Sequence, residues 1–262
     1  MRFRTCLAHL GAVAITLAIA PAAQALPGGS ADHHAGSQIA KHEGWGRSGD
    51  PPSDGKVHGM DVSSHQGDVD WPRAWADGAR FAYVKATEGT GYRNPKFAQQ
   101  YNGSYAVGMI RGAYHFALPD RSSGREQADF FVDNGGGWSA DGRTLPGALD
   151  MEYNPYGDTC FGLDQAAMGA WVKGFSDRVR ERTGRHPAIY TSTSWWNRCV
   201  GTTESFGHTN PLWVAQYNDT LGPLPHGWSY ETIWQWQAAG KFPGDQNLFN
   251  GGEEQLRRFA QG

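Results

Sequence analysis

The sequence predicts an α/β fold, a compact (β/α)-type barrel, and three observations lead there. Short apolar or alternating runs take turns with helix-patterned stretches throughout residues 57–262, an order that builds a largely parallel sheet. Seven or eight strands fit into that length without a second linker, near the lower size limit of a closed barrel. The main alternative, an open doubly wound sheet, normally carries a Gly-rich phosphate-binding turn after its first strand. Here that strand runs into DVSSHQG and no nucleotide motif is present.

Taken in chain order, the first residues are an address. Arg2 and Arg4 precede an apolar stretch over 7–20, then Pro21 and Ala23-Gln24-Ala25, the tripartite pattern of a secretory signal with cleavage expected after Ala25. The stretch is too short for a spanning helix, which needs roughly 20 apolar residues, so no membrane contact is expected after cleavage and the product is expected to be extracellular. Residues 26–56 (with ADHHAGSQ and GWGRSGDPPSDG) are polar and rich in Gly, Ser and Pro without apolar periodicity. They read as a flexible linker or pro-segment, with His33 and His34 solvated.

Strands are expected at 57–64, 80–87, 109–117, 147–153, 187–191, 212–217 and 232–237, each an apolar or alternating run. Helices are expected at 70–77, 95–106, 124–134, 163–183 and 253–260. In the longest of them Ala167, Trp171, Phe175 and Val179 recur about one turn apart on one face.

Composition narrows the function. The chain of 262 residues has 23 Lys and Arg against 26 Asp and Glu, a net charge of -3, which argues against a nucleic-acid partner. Losing Arg2 and Arg4 with the signal takes -3 to -5, so an anionic polymer could not be attracted by overall charge. Cys6 also leaves, and the remaining pair, Cys160 and Cys199, is expected to form a disulfide in an exported protein. Neither lies in a paired CxxC spacing that zinc would require. A monomer is the default expectation.

In a barrel the chemistry gathers at the C-terminal ends of the strands. Those ends offer Asp61, Glu88, Tyr114 and His115, Asp150 and Glu152, Tyr190, Gln216, Trp234 and Trp236, with Asp245 in the following loop. The sharpest feature is LPGALDMEYNP. Asp150 and Glu152 stand two apart on an expected strand, so both side chains leave one face with Cα atoms roughly 6.5 Å apart. Carboxylates that close do not ionise independently, and one acquires a raised pKa. Cleavage of a glycosidic bond needs this combination, a protonated acid for the leaving oxygen and a carboxylate for the developing positive charge. A bare D-x-E is more often a solvated pair, but the apolar GAL before this one places it at the end of a buried strand. Asp61, in HGMDVSS, is a second such acid, with a turn cap as the equal alternative. A divalent metal held by Asp61, Asp150 and Glu152 with His65 or His115 ranks lower, because no H-E-x-x-H or similar spacing appears. No cofactor is expected.

GMDVSSHQGDVDW, FAYVKATEGTGYRNPKF, GAYHFA, ALDMEYN, AIYTSTSWW, LWVAQY and WQWQ resemble, in order, the motif blocks of the Chalaropsis-type lysozymes, the family 25 glycoside hydrolases. The resemblance covers residues 57–262. It implies an irregular TIM-like barrel with fewer than eight helices and a secreted N-acetylmuramidase that cleaves the β-1,4 bond between N-acetylmuramic acid and N-acetylglucosamine. It implies Glu152 as general acid, Asp150 as the adjacent assisting carboxylate and Asp61 as the strand-one acid. It also implies Tyr114 and Tyr190 as substrate contacts. Asp245, in GDQNLFNG, takes the place of a fourth acid, although the preceding KFPG departs from the family's apolar lead-in.

The strand-end positions add Glu88, Trp213, Gln216 and Trp236 to the expected substrate contacts. Close carboxylates favour retention, either through an adduct on Asp150 or through the sugar's own acetamido group. The chain holds 11 Trp, 10 Tyr and 12 Phe. Of these, Trp195, Trp196, Trp213, Tyr217, Trp234 and Trp236 are expected to line a groove that grips glycan strands of peptidoglycan by stacking. A chitinase using the same acids and a glycan-binding protein without activity are the competing functions. The second would have been signalled by loss of Asp150 or Glu152.

Overall fold

In the computed structural model the described residues are Met1, 33–44 and 55–262. The secretory signal expected at 1–25 therefore lies outside the described residues, as does most of 26–56. The elements are α1 (Ser37–Glu43), β1 (Val57–Val62), α2 (Trp71–Ala76), β2 (Phe81–Glu88), β3 (Tyr92–Arg93), α3 (Phe97–Ala106), β4 (Ile110–Phe116) and α4 (Gly124–Asp133). They continue with β5 (Ala148–Asp150), α5 (Gln165–Thr183), β6 (Ala188–Ser192), α6 (Thr193–Cys199), β7 (Leu212–Ala215), β8 (Ile233–Gln237), β9 (Asp245–Phe249) and α7 (Glu253–Gln261).

Eight strands close into a barrel in the order β1-β2-β4-β5-β6-β7-β8-β9 and back to β1, with β3 as a short antiparallel appendage of β2. Neighbours from β1 round to β8 are parallel. The closing strand β9 is antiparallel to both β8 and β1. The expected irregular barrel is therefore found. The sequence reading missed β9, because DQNLF opens with three consecutive polar residues and resembles a loop. Its pairing places Asp245 on a strand, directly opposite Asp61, and not in a loop after the last strand.

Local chemistry explains where the helices begin. Asp70 accepts from the Arg73 amide at the start of α2, Asp164 from Ala167 at the start of α5, and Ser192 from Trp195 at the start of α6. At α4, Ser123 and Glu126 form a reciprocal capping box. The buried face of α5 is Met168, Trp171, Val172, Phe175 and Val179. Ala167, expected on that face, is exposed, because the 3.6-residue period carries position 168, not 167, onto the barrel side.

The barrel interior is aromatic. The Trp213 ring packs against Tyr83, Tyr190 and Tyr114 at centroid distances of 4.8, 4.7 and 6.2 Å. Gly112 of β4 lets this layer form, since a Cβ there would meet the Tyr83 ring and lie 2.9 Å from the Leu145 Cβ. Cys160 and Cys199 are joined in a disulfide with Cα atoms 5.4 Å apart, tying the loop after β5 to the end of α6.

Residues 33–44 depart from the expectation of an unstructured, solvated stretch. They form α1 with its lead-in, and Ala35, Gln38, Ile39 and Ala40 are buried. No apolar period of its own holds this segment. Side chains of the barrel mouth do.

Candidate active site

Strand geometry gathers the acids at one end of the barrel. Asp61 closes the inward-facing series of β1, Asp150 ends β5, and Asp245 begins β9. Glu152 lies just past the end of β5. That strand is shorter than expected, ending at Asp150, and only the Met151 amide, donating to the Tyr190 carbonyl at 2.9 Å, continues the ladder. Asp61, Asp150, Glu152 and Asp245 are all at most 2% exposed.

Two amides on β8 and β9 organise the cluster. Gln235 Nε2 donates to Asp61 Oδ2 at 2.9 Å and to Asp245 Oδ2 at 3.1 Å. Its Oε1 accepts from the hydroxyls of Tyr190 and Tyr217 at 2.7 and 2.8 Å. Asn247 Nδ2 donates to Asp61 Oδ2 at 2.7 Å, and its Oδ1 accepts from the Trp213 indole at 2.7 Å. Each amide is fixed in orientation by what it accepts, so each presents its N–H groups to carboxylates.

Burial sets the protonation states. It pushes Glu152 up to about 8, partly opposed by backbone N–H donors. It likewise raises Asp61 to about 7, against the donors Gln235 and Asn247. Asp150 is driven well above the ordinary carboxylate range by burial and by the neighbouring Glu152 charge, and Asp245 by burial and by Asp61. Four buried carboxyls this close cannot all be charged. At the rim Lys85, fully buried, donates to Glu88 Oε2 at 2.7 Å. Burial of Glu88 opposes its charge, yet Lys85 and His33 together hold it below the usual value.

Residues 33–44 lie across this mouth. The amide of Gly36 donates to Glu152 Oε1 at 3.0 Å, and those of Gln38 and Ile39 donate to Oε2 at 2.8 Å each. His33 bonds to Glu88 through its backbone N–H at 3.3 Å and its Nδ1 at 3.1 Å, and its carbonyl accepts from Lys85. Glu43 accepts from Tyr153 at 2.9 Å and from Ser192. His33 was expected to be solvated; it is only partly so, because the cleft supplies it with a carboxylate.

Of the residues expected at the site, Asp61, Asp150, Glu152, Asp245, Glu88, Tyr114 and Tyr190 converge. The Tyr114 hydroxyl accepts from the Ala35 amide at 3.3 Å. Trp213 lies in the interior aromatic layer, beneath the acids. Gln216 stands to one side, its amide spent on Thr193, the Pro223 carbonyl and the Gly222 amide.

The expected tryptophan groove is not formed. Gln235 faces inward, so its neighbours Trp234 and Trp236 face outward, where they pack with Leu212, Val214 and Leu248. Trp195 and Trp196 belong to α6, and Trp196 packs on Phe206 and Trp228. Of that aromatic set Tyr217 reaches the acid network through Gln235, and Trp213 reaches it from beneath through Asn247. His115, opposite in alternation to Tyr114, is bonded to Thr87 and Gln127 at 2.8 and 2.9 Å, with its ring stacked on Phe175. His65 stacks on His34 at 5.0 Å. No cluster of metal-ligating residues occurs among the described residues.

Sequence reading missed Lys85, Gln235 and Asn247. A signal existed for each: a lysine inside the apolar strand FAYVKATE, and amides on the inward positions of WQWQ and DQNLF.

Comparison with known proteins agrees with this geometry. The family model for glycosyl hydrolases family 25 matches residues 60–245. An N,O-diacetylmuramidase of Chalaropsis sp is 49% identical over 210 residues, 79% of this chain and all of that one. Lysozyme M1 of Streptomyces globisporus is 41% identical over 272 residues, 97% of this chain and 92% of that one. A solved family 25 lysozyme from Aspergillus fumigatus superimposes with a TM-score of 0.77 at 48% identity, covering 79% of this chain and all of that chain. The matched span contains all four buried acids, and the chain belongs to glycosyl hydrolases family 25.

Proposed function

We propose that this glycoside hydrolase is a muramidase that acts outside the cell, hydrolysing the β-1,4 bond between N-acetylmuramic acid and N-acetylglucosamine in peptidoglycan. The observation that carries the reading is the buried pair Asp150 and Glu152 at the mouth of the barrel, backed by the second pair Asp61 and Asp245. A glycosidic oxygen leaves only if protonated, and Glu152, raised to about 8 by burial, holds a proton at neutral pH. Asp150 is the neighbouring carboxyl that, once ionised, faces the positive charge developing on the sugar and supports a retaining course. Asp61 and Asp245, tied together by Gln235, complete the wall of buried carboxyls. With the tryptophans turned outward, the grip on sugar faces falls to tyrosines, Tyr114, Tyr190 and Tyr217. The names of the relatives, a diacetylmuramidase and two lysozymes, support the same substrate.

The test is Glu152→Gln in protein freed of the residues before 57, assayed by release of reducing ends from bacterial walls and, in parallel, from chitin. Loss of a general acid lowers turnover by about 10²- to 10⁴-fold, and walls are the substrate expected to be cleaved. Undiminished wall hydrolysis by the variant would overturn the assignment, and preference for chitin would favour the chitinase reading.

A further inference from the structure

The residues that hold α1 in place are the residues that would hold and cleave a sugar. Both oxygens of Glu152 are engaged by backbone N–H groups, Oε1 by Gly36 and Oε2 by Gln38 and Ile39. A leaving oxygen must approach a general acid within hydrogen-bond distance, and neither carboxylate oxygen is open to it. The three donors also pull against the protonated form that an acid catalyst needs, offsetting part of the rise that burial causes. Gly36 lies deepest. It has a φ of 92°, and a Cβ there would press on the Tyr217 hydroxyl and lie 2.8 Å from Gln235 Oε1 and 2.9 Å from Asp245 Oδ2.

This contact does not look like ordinary packing of a terminal segment. A seven-residue helix has no stability of its own in water, and α1 is seated against the catalytic mouth instead of the barrel's outer layer. The family match, residues 60–245, does not include it. The Streptomyces globisporus relative, aligned over 97% of this chain, extends the likeness beyond the barrel into the N-terminal region.

We propose that residues 33–44 are a built-in inhibitory plug, so that the chain carrying them is a latent form of the hydrolase and becomes active when they leave the cleft. The proposal rests on the reading of Glu152 as the general acid. Tethering makes even a weak contact effective. A short connection supplies an effective concentration in the millimolar range, so a plug that binds in trans with a Kd of about 100 μM is about nine-tenths engaged in cis. Once severed, it dissociates on dilution.

The experiment compares three proteins that start at residue 26: the natural sequence, one with a specific protease site inserted after Gly44, and Gly36→Leu. Wall hydrolysis by the cleaved and diluted protein should exceed that of its uncut form at least tenfold. Gly36→Leu should be active without cleavage. A synthetic peptide of residues 33–44 should inhibit the cleaved enzyme competitively, and the same peptide carrying Gly36→Leu should not. Equal activity before and after cleavage would overturn the plug.

If neither form hydrolyses walls, the muramidase reading fails on its own. The plug is then judged by binding of the fluorescently labelled 33–44 peptide to the barrel, which Glu152→Ala should weaken at least tenfold. Absence of binding, or binding insensitive to Glu152→Ala, would overturn it.

Discussion

Asp61 shows how single residues set the chemistry. Burial raises its pKa to about 7, and the two amides that donate to it keep it from rising further. Replacing Asn247 by Leu, close in volume but unable to donate, leaves Asp61 with one donor fewer for its charged form. Its pKa then moves up and a larger fraction is neutral at pH 7. The expected result is a fall in kcat of roughly ten- to a hundredfold, the scale of one hydrogen bond to a charged group. The pH–rate profile of protein lacking the plug should also shift toward higher pH. A variant with an unchanged profile would show that Asn247 only packs. Asp61, Asp150 and Glu152 were legible from sequence because acids at the ends of apolar runs stand out, whereas Asp245 was assigned as a site acid only by resemblance. Gln235 and Asn247 show only as polar residues in apolar surroundings, since a neutral amide in a strand gives no sign of its partner until the strand across from it is known.

Among the elements, alternation and helical period located most strands and helices of the barrel, and they failed where tertiary pairing decides. β5 stops at Asp150 because the chain leaves the sheet there, although the apolar-to-acidic run continues to Tyr153. β9 pairs on both sides despite its polar content, because its inward side chains meet Asp61, Trp213 and Gln235 instead of a hydrocarbon core. The disulfide was legible from cysteine count alone. It spans a sequence separation of 39 residues, and a loop of that size is expected to contribute about 4 kcal/mol by restricting the unfolded chain. Replacing Cys160 and Cys199 together by Ser should lower stability by about 2–4 kcal/mol, or the melting midpoint by roughly 10 °C, as read by calorimetry. A shift under 2 °C would mean that packing of α6 on the barrel carries the loop without it.

For the whole molecule, the concentration of buried acid has a consequence for stability. Glu152 and Asp61 have folded pKa values raised to about 8 and about 7 from 4.5 and 3.8. A group raised on folding binds its proton more tightly in the native state, so its contribution is full below the unfolded pKa and is lost as pH rises through the folded one. The latent form should therefore melt at progressively lower temperature between about pH 4 and pH 8. Glu152→Gln should flatten that slope, and a melting temperature rising through this range would contradict the assignment. The surface pairs act elsewhere: Glu181, lowered to about 2 by its bonds to Arg125 and Arg178, contributes above about pH 4.5 and loses that contribution only as pH falls toward 2.

The alternating barrel, the disulfide and the acids Asp61, Asp150 and Glu152 are written in local pattern, residue spacing or counts, which a linear chain displays directly; the family and the role of Asp245 came from motif resemblance. Tertiary structure alone decided which side of each strand faces the site, and it turned the expected tryptophan groove outward and tyrosines inward. It also decided that a polar, Gly-rich stretch folds into a helix over Glu152. Such a segment has no apolar period to announce it, and its order comes from hydrogen bonds to residues far along the chain, which exist only once the barrel has brought them together.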